Sequence, residues 1–138
     1  MNFKEFETPE KLRGGYYTPH DLATFLVRWI ENASPSRVLE PSCGDGVFLD
    51  ALGQRNFSKP VLGFELDEVE AKKSKDRAAS VGLSNVDIQA TDFLGWALKA
   101  MDSKSERFDA VIGNPPFIRY QYLPPLFQGR AQAIFEKL

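Results

Sequence analysis

Asn114-Pro115-Pro116-Phe117 carries the sharpest chemical content in this 138-residue sequence. An amine conjugated to an aromatic ring is a poor nucleophile, so a site that alkylates it must hold its N–H groups with neutral acceptors. The Asn114 side-chain oxygen and the Pro115 carbonyl are two such acceptors. The prolines fix φ and stiffen the loop, and Phe117 can stack on a nucleobase, a contact that contributes roughly 1–3 kcal/mol. Read in isolation, the same four residues are a strand-ending turn followed by a core phenylalanine.

Three further clusters have chemical content. Glu40-Pro41-Ser42-Cys43-Gly44-Asp45-Gly46 holds two glycines spaced G-x-G, which permit a tight turn and close backbone approach, and a helix start after Gly46 offers free N–H groups to a carboxylate. Two glycines fall short of the dinucleotide fingerprint, and a plain strand-to-helix turn is the competing reading. Glu65, in Gly63-Phe64-Glu65-Leu66-Asp67, can accept hydrogen bonds from both ribose hydroxyls, whereas binding and helix capping compete for Asp67. Asp92, in Thr91-Asp92-Phe93-Leu94, can accept from an exocyclic adenine amine or be an ordinary loop residue.

These clusters need elements to place them. Thr18-Pro19-His20-Asp21 reads as a helix start, with Thr18 as N-cap, Pro19 in the first helical position and Asp21 as capping-box partner. Leu22, Phe25, Leu26, Trp29 and Ile30 follow at helical spacing on one face. Arg37 to Glu40 forms a short strand, and Val47 to Leu52 resumes helical spacing. Val61 to Glu65 is a second strand, and Asp67 caps a charged helix to about Ser80 with Ala71, Ala78 and Ala79 inward. Asn85 to Gln89 is a third strand, Phe93 to Met101 a weak helix, and Phe108 to Gly113 a fourth, apolar strand. Alternating strands and helices imply a parallel sheet with right-handed crossovers, the Rossmann-like α/β class. All four signals then sit beyond the carboxyl ends of strands, where such sheets bind ligands.

Composition is that of a packed globular chain, at 43% hydrophobic, 12% aromatic and 26% charged. The length suits one domain. Lys and Arg number 17 against 19 Asp and Glu, for a net charge of -2. No global field therefore attracts a polyanion. One cysteine, Cys43, excludes an internal disulfide, and with one histidine, His20, it excludes a Cys/His zinc site, so no metal is expected. The opening MNFKEFETPEKLRGG lacks a signal-peptide core, and no apolar run nears the roughly 20 residues that cross a bilayer. A reducing cytoplasm is the expected compartment. Four strands make only part of a doubly wound sheet, and the outermost would leave an apolar edge unpaired. The expectation is a fragment of a longer protein or one half of a two-chain enzyme.

The ordered set Gly15-Tyr16-Tyr17-Thr18-Pro19, Leu39 to Gly46, Gly63 to Asp67, Asp92-Phe93-Leu94 and Gly113 to Phe117 resembles the N6-adenine DNA methyltransferases of restriction-modification systems, of the kind whose cofactor motifs come first. The resemblance covers nearly the whole chain and implies a Rossmann-like fold that uses S-adenosylmethionine. It implies that Tyr17, Thr18 and Glu40, with Ser42, Cys43, Gly44 and Gly46 of the loop, hold the methionine end of the cofactor. Glu65 would bind the ribose, Leu66 would pack on the adenine, and Asp92 and Phe93 would recognise its edge. Asn114, Pro115, Pro116 and Phe117 would hold an adenine flipped from duplex DNA for direct methyl transfer.

On this reading residues 1–17 are a lead-in to the cofactor site, 18–117 the cofactor core and catalytic loop, and 118–138 the start of a following segment. The later strands and the domain that reads DNA sequence are missing, so the main DNA contacts would lie outside this chain. Arg119, Tyr120, Tyr122 and Arg130 are the residues left that can touch a phosphate or base, with packing the competing role for the tyrosines. A glutamine side chain or an RNA adenine is an alternative substrate for the same loop. A non-catalytic module that pairs through its open sheet edge is the alternative outside enzymes.

Overall fold

A computed structural model describes residues 17–104 and 106–138 of the chain; Gly14, Gly15 and Tyr16 lie outside them. The elements in order are α1 (His20–Asn32), β1 (Val38–Glu40), α2 (Val47–Gln54), β2 (Val61–Glu65), α3 (Glu68–Ser80), β3 (Val86–Ala90), α4 (Phe93–Ser103), β4 (Ala110–Val111), a 3-10 turn (Tyr120–Tyr122) and α5 (Pro125–Phe135). The strands form one parallel sheet in the order β3-β2-β1-β4. Because side chains alternate across a strand, the sheet has two apolar faces. Val38, Val61, Ile88 and Ile112 join Ala23 and Val27 of α1, Leu49 and Leu52 of α2, and Ala71 and Ala78 of α3. Leu39, Leu62 and Phe64 meet Phe93 and Trp96 of α4, and Phe108, on the opposite face.

Local chemistry explains most boundaries and moves several from their expected places. Pro19, with φ -58 and ψ 140, is the N-cap residue of α1, and its carbonyl accepts from Ala23 N at 3.0 Å. Thr18 is therefore one residue too early to cap, no side chain caps this helix, and the capping role expected of Thr18 and Asp21 falls away. The apolar face of α1 is split. Ala23 and Val27 are buried, and Leu26 and Ile30 partly so, whereas Leu22, Phe25 and Trp29 are 47%, 66% and 68% exposed. The small i, i+4 pair lets α1 lie close beside α2, which leaves the larger side chains on the flank.

In α3 the inward row is Ala71, Ser74 and Ala78, and Ala79 is exposed rather than inward. β3 runs one residue later than expected, Val86–Ala90, in register with all of β2. The fourth strand is much shorter than the apolar run from Phe108 to Gly113. Phe108 turns into the second core cluster under the Arg37 guanidinium, Asp109 accepts from Ser36 N, and ladder pairing reaches only Ala110 and Val111, with Ile112 N donating to Leu39 O at 2.9 Å. β4 is an outermost strand, and Val111 is 61% exposed.

Candidate active site

The loop after β1 is shaped by positive-φ glycines. Gly44 has φ +55, and Gly46, the N-cap residue of α2, has φ +89. A Cβ on Gly46 would also lie 3.0 Å from Ser74 Cα, so conformation and space both require glycine there. The turn closes with Gly46 N donating to Cys43 O at 2.9 Å, and Cys43 N donates to Phe64 O at 2.8 Å. The first N–H groups of a helix have no intrahelical acceptor, and Val47 and Phe48 of α2 line a small cleft with Tyr17, Thr18, Ser42, Cys43, Gly44, Asp45 and Asn114.

Next to Cys43 of this cleft lies an electrostatic anomaly. Glu40 is fully buried at the end of β1, and among the described residues neither carboxylate oxygen has a hydrogen-bond partner. Burial pushes its carboxyl up to about 8; the adjacent Cys43 side chain acts against this, and the nearby Asp45 and Glu65 carboxylates act with it. The buried Ser42 hydroxyl is also unpartnered. Burying a polar group unpaired costs roughly 1–3 kcal/mol on mutational scales, a cost that a hydrogen-bond donor reaching either group would relieve. Cys43 lines the cleft, but its Sγ donates to Glu40 O at 3.7 Å and belongs to the core. Burial raises the thiol far above its ordinary range, so it is not a nucleophile.

The ends of β2 and β3 are saturated by comparison. Glu65 Oε2 accepts from Gly44 N and Oε1 from Asp67 N, each at 2.9 Å, so this side chain fixes the turn after β1 as well as its own. Leu66 is 58% exposed beside it. Asp67 is the N-cap of α3, accepting from Val69 N and Glu70 N, which realises the capping role weighed for it. Asp92 caps α4, accepting from Leu94 N at 3.2 Å and Gly95 N at 2.7 Å, and it also pairs with Arg130 of α5. Phe93 packs 5.5 Å from Phe64, centroid to centroid.

At the end of β4, Asn114 Nδ2 donates to Thr18 Oγ1 at 3.2 Å, which joins the fourth strand end to the entry of α1. With its nitrogen engaged this way, the Asn114 amide oxygen is left as an acceptor. Ile118 N donates to Pro116 O at 3.1 Å, a tight turn that presents Phe117 at 93% exposure.

The structure thus gathers Tyr17, Thr18, Ser42, Cys43, Gly44 and Asn114 around one cleft, with Glu65 tied to its rim and Glu40 outside the lining, buried next to Cys43. Asp92 and Phe93 are absent from the cleft lining and belong to α4 on the opposite core face. Three residues that sequence reasoning passed over or assigned differently hold the site. Ser74 Oγ donates to Gly44 O at 2.7 Å, and Arg77 bridges Asp45 at 3.1 Å and the buried Asp50 at 3.4 Å. Ser74 betrays itself as the one hydroxyl on the small-residue stripe between Ala71 and Ala78. Arg130, weighed as a phosphate contact, is committed to Asp92, and Tyr120 OH donates to Gln128 O.

Comparison with known proteins decides the family. The model of the family described as N-6 DNA Methylase matches residues 3–130. The chain belongs to that family. Among curated relatives, the Type II methyltransferase M.CvrRI of Paramecium bursaria Chlorella virus XZ-6E is 27% identical over 140 residues, covering 98% of this chain and 34% of the relative. A tRNA1(Val) (adenine(37)-N6)-methyltransferase of Dickeya chrysanthemi (strain Ech1591) is 26% identical over 132 residues, covering 85% of this chain and 50% of the relative. Among solved structures, a modification subunit of a putative type I restriction enzyme from Vibrio vulnificus YJ016 superposes with a TM-score of 0.61 at 23% identity, over 88% of this chain and 29% of that one. This N-6 DNA methylase chain therefore has the Rossmann-like methyltransferase fold in part, and spans about a third of the length of its Type II relative. Among its described residues no helix is long and apolar enough to cross a membrane.

Proposed function

We propose that this chain is the cofactor-binding and catalytic-loop portion of an enzyme that transfers a methyl group from S-adenosylmethionine to the N6 amine of adenine in DNA, within a restriction-modification system. The observation that carries the reading is the buried Glu40 carboxylate, unpartnered among the described residues, next to Cys43 of a cleft that Asn114 lines. An ammonium group placed there would satisfy Glu40 and restore its charge, which fits the amino-acid end of the cofactor. Tyr17, Thr18, Ser42 and the Gly44 to Gly46 turn would surround that end, and Glu65, Leu66, Asp92 and Phe93 would take the ribose and adenine. When bound, the cofactor supplies a methyl group on a sulfonium sulfur.

The protein's part is positioning. The Asn114 amide oxygen and Pro115 carbonyl would accept from the two N–H groups of the adenine amine, and Phe117 would stack on the ring. Removing the base from the duplex costs a few kcal/mol, which these contacts offset. Type II methyltransferases among the relatives favour DNA, and the tRNA relative makes RNA the second pool to test. The exposed edge of β4, where Val111 lies open, is where further strands would complete the sheet, whether from a longer polypeptide or from a partner chain. The DNA-binding charge would come with them.

The test is calorimetric binding of S-adenosylmethionine to the chain, followed by transfer of labelled methyl to unmethylated DNA and to tRNA in parallel. Binding together with label recovered as N6-methyladenine in DNA is the expected outcome. Label in tRNA alone moves the substrate to RNA, and absence of binding overturns the reading. Asn114→Ala is expected to leave cofactor affinity within about twofold and to lower transfer by roughly a hundredfold or more. Unchanged transfer would remove Asn114 from the mechanism.

A further inference from the structure

We infer that Arg130 is a positioning residue for the base end of the cofactor site, acting through Asp92 to set selectivity for an exocyclic amine. The inference rests on the cofactor reading above. An aspartate that only caps a helix needs no cation, yet Asp92 receives one from 38 residues further along the chain. Arg130 Nη1 lies 2.5 Å from Asp92 Oδ2. The seat for this guanidinium is built into α4. A Cβ on Gly95 would fall 3.1 Å from Arg130 Cζ and 3.2 Å from its Nη1, so a side chain there would crowd the guanidinium that lies across the first turn.

The donors are distributed unevenly over the carboxylate. Oδ2 accepts from Gly95 N and Arg130, whereas among the described residues Oδ1 accepts only from Leu94 N at 3.2 Å. A carboxylate oxygen has two lone-pair directions, so Oδ1 retains one for an amine donor. The Asp92 side chain is 15% exposed and that of Arg130 32%, so the pair is shielded enough for its geometry to persist. Held in one orientation, the Asp92 side chain offers an acceptor to an N–H donor and nothing to a carbonyl oxygen at the same place.

The anchor for Arg130 comes from the segment that follows the target loop. Gln128 Nε2 donates to Tyr120 O at 3.1 Å, which fixes α5 to the 3-10 turn, and Lys137 pairs with Asp102 at the far end of α4. Arg130 therefore ties the cofactor's base end to the chain that emerges from Asn114–Phe117.

The experiment compares the dissociation constants of S-adenosylhomocysteine and S-inosylhomocysteine, which differ in an amine against a carbonyl on the purine. Wild-type chain should favour the adenosyl compound by roughly tenfold or more. Arg130→Ala should reduce that preference at least about threefold, with the far-ultraviolet circular dichroism retained, and Arg130→Lys should restore part of it. Lys137→Ala removes the ion pair that ties the chain just past α5 to α4, without touching Asp92, and should leave the preference intact. A preference unchanged by Arg130→Ala would show that the pair only pins α5 and would overturn the inference. Equal losses in Arg130→Ala and Lys137→Ala would overturn it as well. Failure of the wild type to bind either compound would overturn the cofactor reading, and the role of Arg130 with it.

Discussion

The two halves of the candidate cofactor site differ in how their carboxylates are satisfied. Glu40, at the end of β1, is fully buried, with neither oxygen bonded among the described residues. Glu65 and Asp92, at the ends of β2 and β3, have their oxygens engaged by backbone N–H groups at 2.7–3.2 Å. One half holds back its bonding capacity at a cost to the free protein, and the other is preorganised by its own chain. An unsatisfied group gives a ligand more to gain on arrival, whereas a satisfied one fixes geometry before the ligand arrives. Affinity should therefore concentrate at the Glu40 end and selectivity at the Asp92 end.

The comparison breaks most visibly at Glu40. Its folded-state value of about 8 exceeds the ordinary 4.5. A carboxyl raised in this way contributes stability that is fully present below pH 4.5 and lost as pH rises towards 8, because the unfolded chain gives up its proton first. Glu40→Gln should match the wild type below about pH 4 and exceed it at pH 8.5 by on the order of 4 kcal/mol. Urea titrations across that range would check this, and parallel slopes in the two proteins would refute it. The same variant should bind S-adenosylmethionine much more weakly, so stability and affinity should move in opposite directions.

A smaller effect is expected at Gly46. Alanine there must adopt φ +89 and approach Ser74 Cα at 3.0 Å, which should cost about 1–3 kcal/mol. The damage should extend to binding, because the hydrogen bond from Ser74 Oγ to Gly44 O holds the same turn. A shift in the urea midpoint together with loss of cofactor affinity is the expected pattern. An alanine variant of unchanged midpoint would mean that the loop relaxes freely.

What the sequence made legible follows from the range of the forces involved. The bounds of β2 and the capping of α3 by Asp67 are legible because each depends on neighbours a few residues away. The Asn114–Phe117 loop could be placed at the end of a strand for the same reason. Long-range packing was not legible. Nothing in the spacing of Leu22, Phe25 and Trp29 says that α1 will turn Ala23 and Val27 inward instead, since that choice depends on how closely α2 lies. The contraction of the fourth strand to Ala110–Val111 depends on Phe108 finding Trp96 and on Asp109 finding Ser36. Within the site, Glu65 and Asp92 were assigned ligand roles on chemical type alone, and their prior engagement with Gly44 N and Arg130 spans 21 and 38 residues. The isolation of Glu40 is equally a three-dimensional fact, since it rests on burial from every side.

The sharpest form of the comparison makes one substitution at both carboxylates. Glu65→Gln keeps the shape and replaces one acceptor oxygen with an N–H₂ group, which cannot accept from either Gly44 N or Asp67 N. One of those two bonds must be lost, at about 1 kcal/mol. At pH 8 the variant should therefore be slightly less stable than the wild type, whereas Glu40→Gln should be more stable. Opposite signs from the same chemical change, read in one set of urea titrations, would show that the two ends differ in partners and not in charge alone. Stabilisation by both would mean that repulsion among Glu40, Asp45 and Glu65 dominates the site. The ordering of the Gly44 turn by Glu65 would then be a minor contribution.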